Sequence, residues 1–83
     1  MRTVAIDGQP IEVTPTEFAL LTLFTGAPGR AFSRDELLDL VWKDDFEITH
    51  RTVDTHIQRL RKKLGDRADT IQTVWGMGYR YQP

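Results

Sequence analysis

The sequence has 83 residues, which is enough for one small domain with a single hydrophobic core. Its composition, 40% hydrophobic and 28% charged, is typical of a soluble folded protein, and the absence of cysteine excludes disulfides and thiolate metal sites. The net charge of −1 gives no sign of a polyanionic partner, and no apolar run has the length of a membrane span or a secretory signal, so we expect a cytoplasmic protein.

The N-terminal third predicts a hairpin followed by a helix. Two short apolar runs, at 4–6 and 11–13, flank Asp7-Gly8-Gln9-Pro10, and Asp-Gly is a strong hairpin signal because glycine accepts the positive φ of a tight turn. Thr14-Pro15-Thr16-Glu17 then has a capping residue, a proline for the first helical position and an acid that complements the helix dipole. This first helix is predicted to stop at Gly26-Ala27-Pro28-Gly29.

The rest of the chain predicts two more helices and a second hairpin. Ser33-Arg34-Asp35-Glu36 is a capping box that starts the second helix, and the mostly polar segment 43–47 is predicted to be a loop. The third helix runs from about Thr49 to Leu64. β-Branched and aromatic residues around Gly76-Met77-Gly78 predict a two-stranded hairpin over 71–81. The fold class is therefore α+β: a short hairpin, three helices and a C-terminal hairpin.

The third helix has one apolar stripe and one polar face. Val53, Ile57, Leu60 and Leu64 are spaced by four, three and four residues, so they share one side of a helix and face the core. The opposite face holds cations, hydroxyls and an amide: Arg51, Thr55, Gln58, Arg59 and Lys62, with Thr52 at its edge.

The distribution of charge favours a nucleic-acid partner for that face. Residues 50–67 contain six basic and two acidic residues, a net charge of +4, and the rest of the chain therefore carries −5. Arginine, glutamine and threonine suit the base edges of the DNA major groove, and Arg61, Lys62 and Lys63 suit phosphates. A solvated helix surface without a partner is the alternative, although the Glu–Lys pairs typical of such a surface are missing.

The second and third helices together form a helix-turn-helix with the third helix as reader, and the hairpin 71–81 would be its wing. Gly76 and Gly78 would let the tip turn and let the backbone approach a phosphate closely. Thr73, Tyr79 and Arg80 could donate to neighbouring DNA. Ordinary sheet structure is the alternative for this hairpin.

Four linked motifs, which together cover nearly the whole chain, resemble the effector domains of OmpR/PhoB-type response regulators. They are Thr14-Pro15-Thr16-Glu17-Phe18-xx-Leu21, Ser33-Arg34-xx-Leu37-xxx-Val41-Trp42, Arg51-Thr52-Val53-Asp54-x-His56-Ile57-xx-Leu60-Arg61-x-Lys63-Leu64 and Thr73-Val74-x-Gly76-x-Gly78-Tyr79-Arg80. The resemblance implies a winged helix that binds tandem direct repeats in double-stranded DNA as a head-to-tail dimer. It also implies an N-terminal receiver domain, a sensor kinase and RNA polymerase as partners of the full-length protein.

Carried over by position, the resemblance implies a role for each site residue. The base contacts would be Arg59, chiefly, with Asp54, Thr55 and Gln58 beside it. The DNA backbone contacts would be Arg51, Thr52, His56, Lys62, Lys63, Trp42, Thr73 and Tyr79. The wing would comprise Trp75, Gly76, Gly78 and Arg80, and the polymerase-contact loop Lys43, Asp44, Asp45, Phe46 and Glu47.

The sequence departs from the family pattern in two places. Trp75 stands where the commonest family residue is an arginine that enters the minor groove; the tryptophan would pack on sugar–phosphate or cover the sheet. The family also has a four-stranded sheet before the first helix, of which two strands are expected here. We therefore expect a truncated sheet with an open edge, and with it lower stability or pairing with a partner.

Two other functions compete with DNA binding. Catalysis has no support: His50 and His56 lie about 240° apart on the helix, and Tyr81 replaces the last small residue of a dinucleotide loop, so we expect no enzyme, metal or cofactor. A domain that docks an acidic protein is the second alternative. Steep weakening of binding with rising salt would indicate DNA instead.

Overall fold

The protein is described by a computed structural model that covers residues 1–43, 45 and 47–83. Its strands are β1 (Arg2–Ile6), β2 (Gln9–Val13), β3 (Ala31–Ser33), β4 (Ile71–Val74) and β5 (Gly78–Tyr81). Its helices are α1 (Pro15–Thr25), α2 (Arg34–Leu37), which continues as a π-helix over Leu38–Trp42, and α3 (His50–Leu64), which is followed by a 3₁₀ segment, Gly65–Thr70. The α+β prediction with three helices is confirmed. Within the described residues, no helix combines the length and apolarity needed to cross a membrane.

The N-terminal hairpin forms as the sequence predicts. β1 and β2 pair antiparallel, with Val4 opposite Ile11 and Ile6 opposite Gln9. Asp7 and Gly8 make the turn between them, with φ of 52° and 80°. Positive φ at both central residues suits the right-handed twist of the two strands.

Both predicted capping boxes are present. At α1, the Thr14 hydroxyl accepts from the Glu17 amide at 3.1 Å, and the Glu17 carboxylate accepts from the Thr14 amide at 2.8 Å. At α2, Ser33 and Glu36 repeat the exchange at 3.0 Å in each direction. These reciprocal bonds satisfy amides that the first turn of a helix leaves without partners.

The C-terminal hairpin forms as predicted, and it belongs to a three-stranded sheet whose third strand, β3, was not predicted. β5 lies between β4 and β3, and it pairs antiparallel with both. Three residues carry too short a pattern to be recognised as a strand, so β3 is defined by its pairing with β5, about 45 residues later. The third strand ties the wing to the N-terminus of α2, because β3 leads directly into that helix.

The apolar stripe of α3 lies in the core, as the spacing predicts. Val53, Ile57 and Leu60 are fully buried and Leu64 is 6% exposed. They pack in one cluster with buried side chains from every layer of the fold: Val13, Leu20, Leu21, Phe24, Phe32, Leu37, Ile71 and Tyr79. The stripe fixes the rotation of α3 about its axis, so the opposite face points to solvent.

Gly78 marks the tightest backbone approach in the sheet, and we predict that Gly78→Ala unfolds the wing. An added Cβ would overlap the Phe32 carbonyl oxygen and lie 3.0 Å from Ser33 Cα, and neither backbone atom can rotate away. We expect a loss of about 3 kcal/mol or more in the free energy of unfolding, measured by urea denaturation.

Gly76→Ala is the matched control. Gly76 has φ of +78°, but an added Cβ would meet nothing within 4 Å. Gly76→Ala should therefore lose only about 1 kcal/mol in the free energy of unfolding, which is the cost of a left-handed backbone conformation for a residue with a Cβ. Equal losses in the two variants would contradict the assigned packing of β3 on β5.

Candidate nucleic-acid interface

The outward face of α3 presents the polar side chains that the helical spacing predicts. Arg51, Thr55, Gln58, Arg59 and Lys62 are all exposed. Across the described part of the chain, no hydrogen bond or ion pair engages the guanidinium groups of Arg51 and Arg59 or the ammonium of Lys62. Three cations are therefore available on one face of a helix that the core holds in place.

A half-buried cluster borders this face on the side of the second helix. The His56 ring meets Trp42 edge to face at 5.2 Å between centroids, and its Nδ1 lies 2.9 Å from the Thr52 carbonyl oxygen. The Thr52 hydroxyl lies 3.4 Å from that of Thr49. The structure thus brings together three of the predicted backbone contacts, Trp42, Thr52 and His56, at one edge of α3.

Lys63 differs from its neighbour Lys62, because it already has a partner. Its ammonium lies 2.7 Å from the carboxylate of Glu17, which is 3% exposed. Burial raises the pKa of Glu17, but the hydrogen bonds from Lys63 and Thr14 outweigh burial and hold that pKa below its ordinary value. Lys63, predicted to contact the DNA backbone, therefore neutralises a buried acid within the fold.

Asp54 and Tyr79 also make internal contacts. One oxygen of Asp54 accepts from Arg34 Nε at 2.8 Å and from the Tyr79 hydroxyl at 2.5 Å. Burial raises the pKa of Asp54, but these two bonds outweigh burial and lower it; burial and the Asp54 bond raise the pKa of Tyr79. Tyr79 is 3% exposed and its hydroxyl donates its proton to Asp54, so the contact that the structure shows is internal, and the contact with the DNA backbone stays a prediction.

Arg61 and Thr73 tie α3 to the wing. Arg61 donates from Nε to the Ile71 carbonyl oxygen and from Nη2 to the Thr73 hydroxyl, both at 2.9 Å. The sequence predicts that Arg61 contacts phosphates and that Thr73 contacts the DNA backbone. In the structure, the second of these bonds joins Arg61 to Thr73. The β4 strand is thereby held against the C-terminal half of α3.

The wing tip is a tight turn that holds out an aromatic side chain. Gly76 adopts φ of +78°, and the Met77 amide donates to the Val74 carbonyl oxygen at 3.0 Å. Trp75 is 91% exposed, so the expectation that it covers the sheet is wrong. Gly78 is buried against β3, not free to approach a phosphate, whereas Arg80 is exposed with its Nε 2.9 Å from Gln72.

The loop before α3 is described only in part. Asp44 and Phe46, two residues of the predicted polymerase-contact loop, lie outside the described residues. Lys43, Asp45 and Glu47 are exposed, and the Asp45 amide donates to the Trp42 carbonyl oxygen at 2.9 Å.

Arg34 and Glu17 each link α3 to another helix, and the sequence analysis does not predict this role for either residue. Arg34 is the first residue of α2, where its positive charge is unfavourable beside the positive end of the helix dipole. That unfavourable position was the available signal in the sequence that Arg34 has an acidic partner elsewhere in the fold. Glu17 was assigned only to the helix start. Residues 1–43, 45 and 47–83 contain no group of three or more His, Asp or Glu side chains placed to hold a metal ion.

Comparison with known proteins identifies close relatives over almost the whole chain. A family model described as "Transcriptional regulatory protein, C terminal" matches residues 8–81. The chain is 49% identical over 79 residues to the phosphate regulon transcriptional regulatory protein PhoB of Pseudomonas aeruginosa, with 94% of this chain and 34% of that protein covered. The chain thus spans about a third of the length of the curated relatives that it matches.

Solved structures show the same fold. The DNA-binding domain of Bacillus subtilis CssR is 37% identical with a TM-score of 0.85, over 98% of this chain and 91% of that chain. The DNA-binding domain of Klebsiella pneumoniae RstA, solved in complex with the RstA box, is 33% identical with a TM-score of 0.84, over 99% of this chain and 84% of that chain. The winged helix-turn-helix prediction is confirmed.

The different roles of Lys62 and Lys63 predict different effects on stability. Lys63→Met leaves the buried Glu17 carboxylate without its cation, so we expect a loss of about 2 kcal/mol in the free energy of unfolding at neutral pH. Lys62→Met, the matched control, should change it by about 0.5 kcal/mol or less. Urea denaturation of both variants measures the difference.

The dependence on pH gives a second readout of the Glu17–Lys63 pair. Because the folded-state pKa of Glu17 is lowered, its stabilising contribution is present above its ordinary value of 4.5 and is lost as pH falls through the lowered pKa. The difference in the free energy of unfolding between the parent and Lys63→Met should therefore become smaller below about pH 4. A gap that is constant from pH 7 to pH 3 would contradict this assignment.

Proposed function

Since the chain belongs to the family of C-terminal domains of transcriptional regulatory proteins, we propose that it binds double-stranded DNA by sequence and acts as the effector domain of a response regulator. The observation that carries the proposal is the outward face of α3. Its three cations, which have no internal partner among the described residues, stand beside an amide and a hydroxyl, on a helix whose opposite stripe is buried. The α3 helix enters the major groove, whose width admits one helix.

The side chains of this face divide by chemistry into base readers and phosphate contacts. Arg59 bonds guanine through its two parallel N–H groups, Gln58 bonds adenine, and the Thr55 methyl packs on the methyl group of thymine. Arg51 and Lys62, at the two ends of the face, contact phosphates and fix the register of the helix. Asp54 orients α3 against Arg34 and Tyr79 through one carboxylate oxygen, and its other oxygen is proposed to contact a base.

The cluster of Trp42, Thr52 and His56 supplies the contacts with one DNA strand. The Thr52 hydroxyl is suited to donate to a phosphate oxygen, and the His56 ring, whose Nδ1 donates to the Thr52 carbonyl oxygen, packs beside it. The likeness to the RstA DNA-binding domain, which was solved in complex with the RstA box, supports DNA binding by this chain.

The remaining proposals concern the longer protein, because the chain spans about a third of its curated relatives. We assign it an N-terminal receiver domain controlled by a sensor kinase, in a cytoplasmic regulator that acts by binding and not by catalysis. The DNA targets are tandem direct repeats occupied head to tail. RNA polymerase is the partner proposed for the loop 43–47.

Selection from a pool of random duplexes, followed by two substitutions, tests the proposed function. Arg59→Ala should lose about 1–3 kcal/mol of preference for the selected duplex over a scrambled one, because it removes a base contact. Lys62→Ala should weaken binding to both duplexes alike. It should also reduce the slope of log K against log salt concentration by about one, because one phosphate contact is lost.

Fluorescence anisotropy with labelled duplexes measures both quantities. Three outcomes would contradict the proposal: a pool that stays unselected, binding that is insensitive to salt, or variants that bind both duplexes as well as the parent does. The last outcome would indicate that the duplex is bound through a surface other than the outward face of α3.

A further inference from the structure

Asp54 lies at the edge of the outward face of α3, and only one of its carboxylate oxygens is engaged by the fold. Its side chain is 39% exposed, and it lies one helical turn before Gln58, a proposed base contact, on the same side of the helix. Oδ1 accepts from Arg34 and from Tyr79, whereas Oδ2 has no hydrogen bond to any described residue. The carboxylate therefore keeps one oxygen available for a ligand.

The Arg34 guanidinium that binds Asp54 is itself held in place. Its Nε donates to Asp54 Oδ1 at 2.8 Å, and its Nη1 lies 3.5 Å from the Met77 carbonyl oxygen at the wing tip. Its Cζ lies 5.5 Å from the centre of the Tyr79 ring, within the range of a cation–π interaction. The Arg34 amide donates to the same Met77 carbonyl oxygen at 3.3 Å, so the backbone that carries the side chain is fixed as well. Arg34 is therefore a rigid support for the Asp54 carboxylate.

Tyr79 supports the same oxygen from the sheet. Its hydroxyl donates to Asp54 Oδ1 at 2.5 Å, and its ring centre also lies 5.4 Å from Cζ of Arg61, which is bonded to β4. Two donors, one from α2 and one from β5, thus converge on a single carboxylate oxygen. Both bonds resist rotation of the carboxylate, so Oδ2 is held in one direction.

A carboxylate held in this way is selective for the position of its donor. Because its rotation is already restricted, it loses less conformational entropy when it binds. The base donor that suits an aspartate in the major groove is the N4 amine of cytosine. We propose that Arg34 is a positioning residue for DNA recognition, which holds Oδ1 of Asp54 so that Oδ2 accepts from a cytosine amine at one position of the binding site. This inference rests on the proposed function and deepens it.

A panel of duplexes in which each base pair of the selected site is replaced in turn tests this role. Asp54→Asn keeps an oxygen for Arg34 and Tyr79 but replaces the other acceptor with a donor, so the preference for cytosine should be lost at one position. Arg34→Met should reduce the preference at that same position about fivefold or more, with the preferences elsewhere within about twofold of the parent. The double variant should lose no more there than Asp54→Asn alone, because both substitutions act on one contact.

Arg30→Met is the matched control. Arg30 also forms an ion pair, with Glu36 at 2.8 Å, and its Cζ lies 4.4 Å from the centre of the Phe32 ring, but neither partner belongs to α3 or to the wing. Arg30→Met should therefore show the base preferences of the parent. Arg34→Lys keeps a cation for Asp54 without the planar fork, and it should fall between the parent and Arg34→Met.

Tyr79→Phe tests the same oxygen without changing a charge. It removes the second donor to Asp54 and keeps the aromatic ring, so it should weaken the preference for cytosine at the same position. Urea denaturation shows which variants fold. If Arg34→Met does not fold, Arg34→Lys and Tyr79→Phe decide the question.

The outcomes separate this role from the proposed function. If the folded variants of Arg34 and Tyr79 weaken binding equally at every position of the panel, the network is only structural and the proposal is overturned. If Asp54→Asn changes no base preference, Asp54 reads no base; the proposal is then overturned, while reading by Arg59 stands. If the parent selects no duplex from the random pool, the proposed function fails and this inference fails with it.

Discussion

The burial of four side chains on one stripe of α3 determines everything else about the candidate interface. Val53, Ile57, Leu60 and Leu64 are between 0% and 6% exposed, and each side chain removed from water stabilises the fold by about 1.5–3 kcal/mol. Rotation of the helix by one residue would put polar or charged side chains, such as those of Thr52, Arg59 and Lys63, in their place. The core therefore sets which residues point outward, and the outward set includes every free cation on which the proposed reading of DNA depends.

The cations of α3 divide into two groups with different physical roles. Lys63 and Arg61 are used inside the molecule, where Lys63 neutralises buried Glu17 and Arg61 bonds β4. These contacts attach α3 to α1 and to the wing. Arg51, Arg59 and Lys62 have no such partner in residues 1–43, 45 and 47–83. A count of basic residues in the sequence therefore overstates the number of α3 cations that are available to DNA, because Lys63 and Arg61 already have partners within the fold.

Local features of the fold could be predicted because their signals lie within a few residues. The hairpin turn depends only on Asp7 and Gly8, and the Thr14–Glu17 and Ser33–Glu36 capping boxes each span four residues. The apolar stripe of α3 repeats within a single helix. β3 could not be predicted, because three residues become a strand only when β5 pairs with them. The π-helical end of the second helix, which leaves Leu40 exposed, likewise has no local signal in the sequence.

The sequence predicts which face of α3 is exposed, but it does not predict which residues the side chains of α3 contact within the fold. Spacing alone separated the exposed side chains of α3 from the buried ones. It could not show that Asp54 meets Arg34, 20 residues away, and Tyr79, 25 residues away, or that Lys63 meets Glu17 across 46 residues. Such pairs depend on how the elements pack. The departure at Trp75 was visible in the sequence, but its exposure required the geometry of the turn.

Methylation interference on the preferred duplex measures most directly whether α3 reads base edges. Guanine N7 lies in the major groove, so its methylation blocks a side chain there without changing base pairing. The account predicts that methylation of one or more guanines within each half-site abolishes binding by the parent. If methylation at every guanine left binding unchanged, the outward face of α3 would not be the surface that reads the sequence.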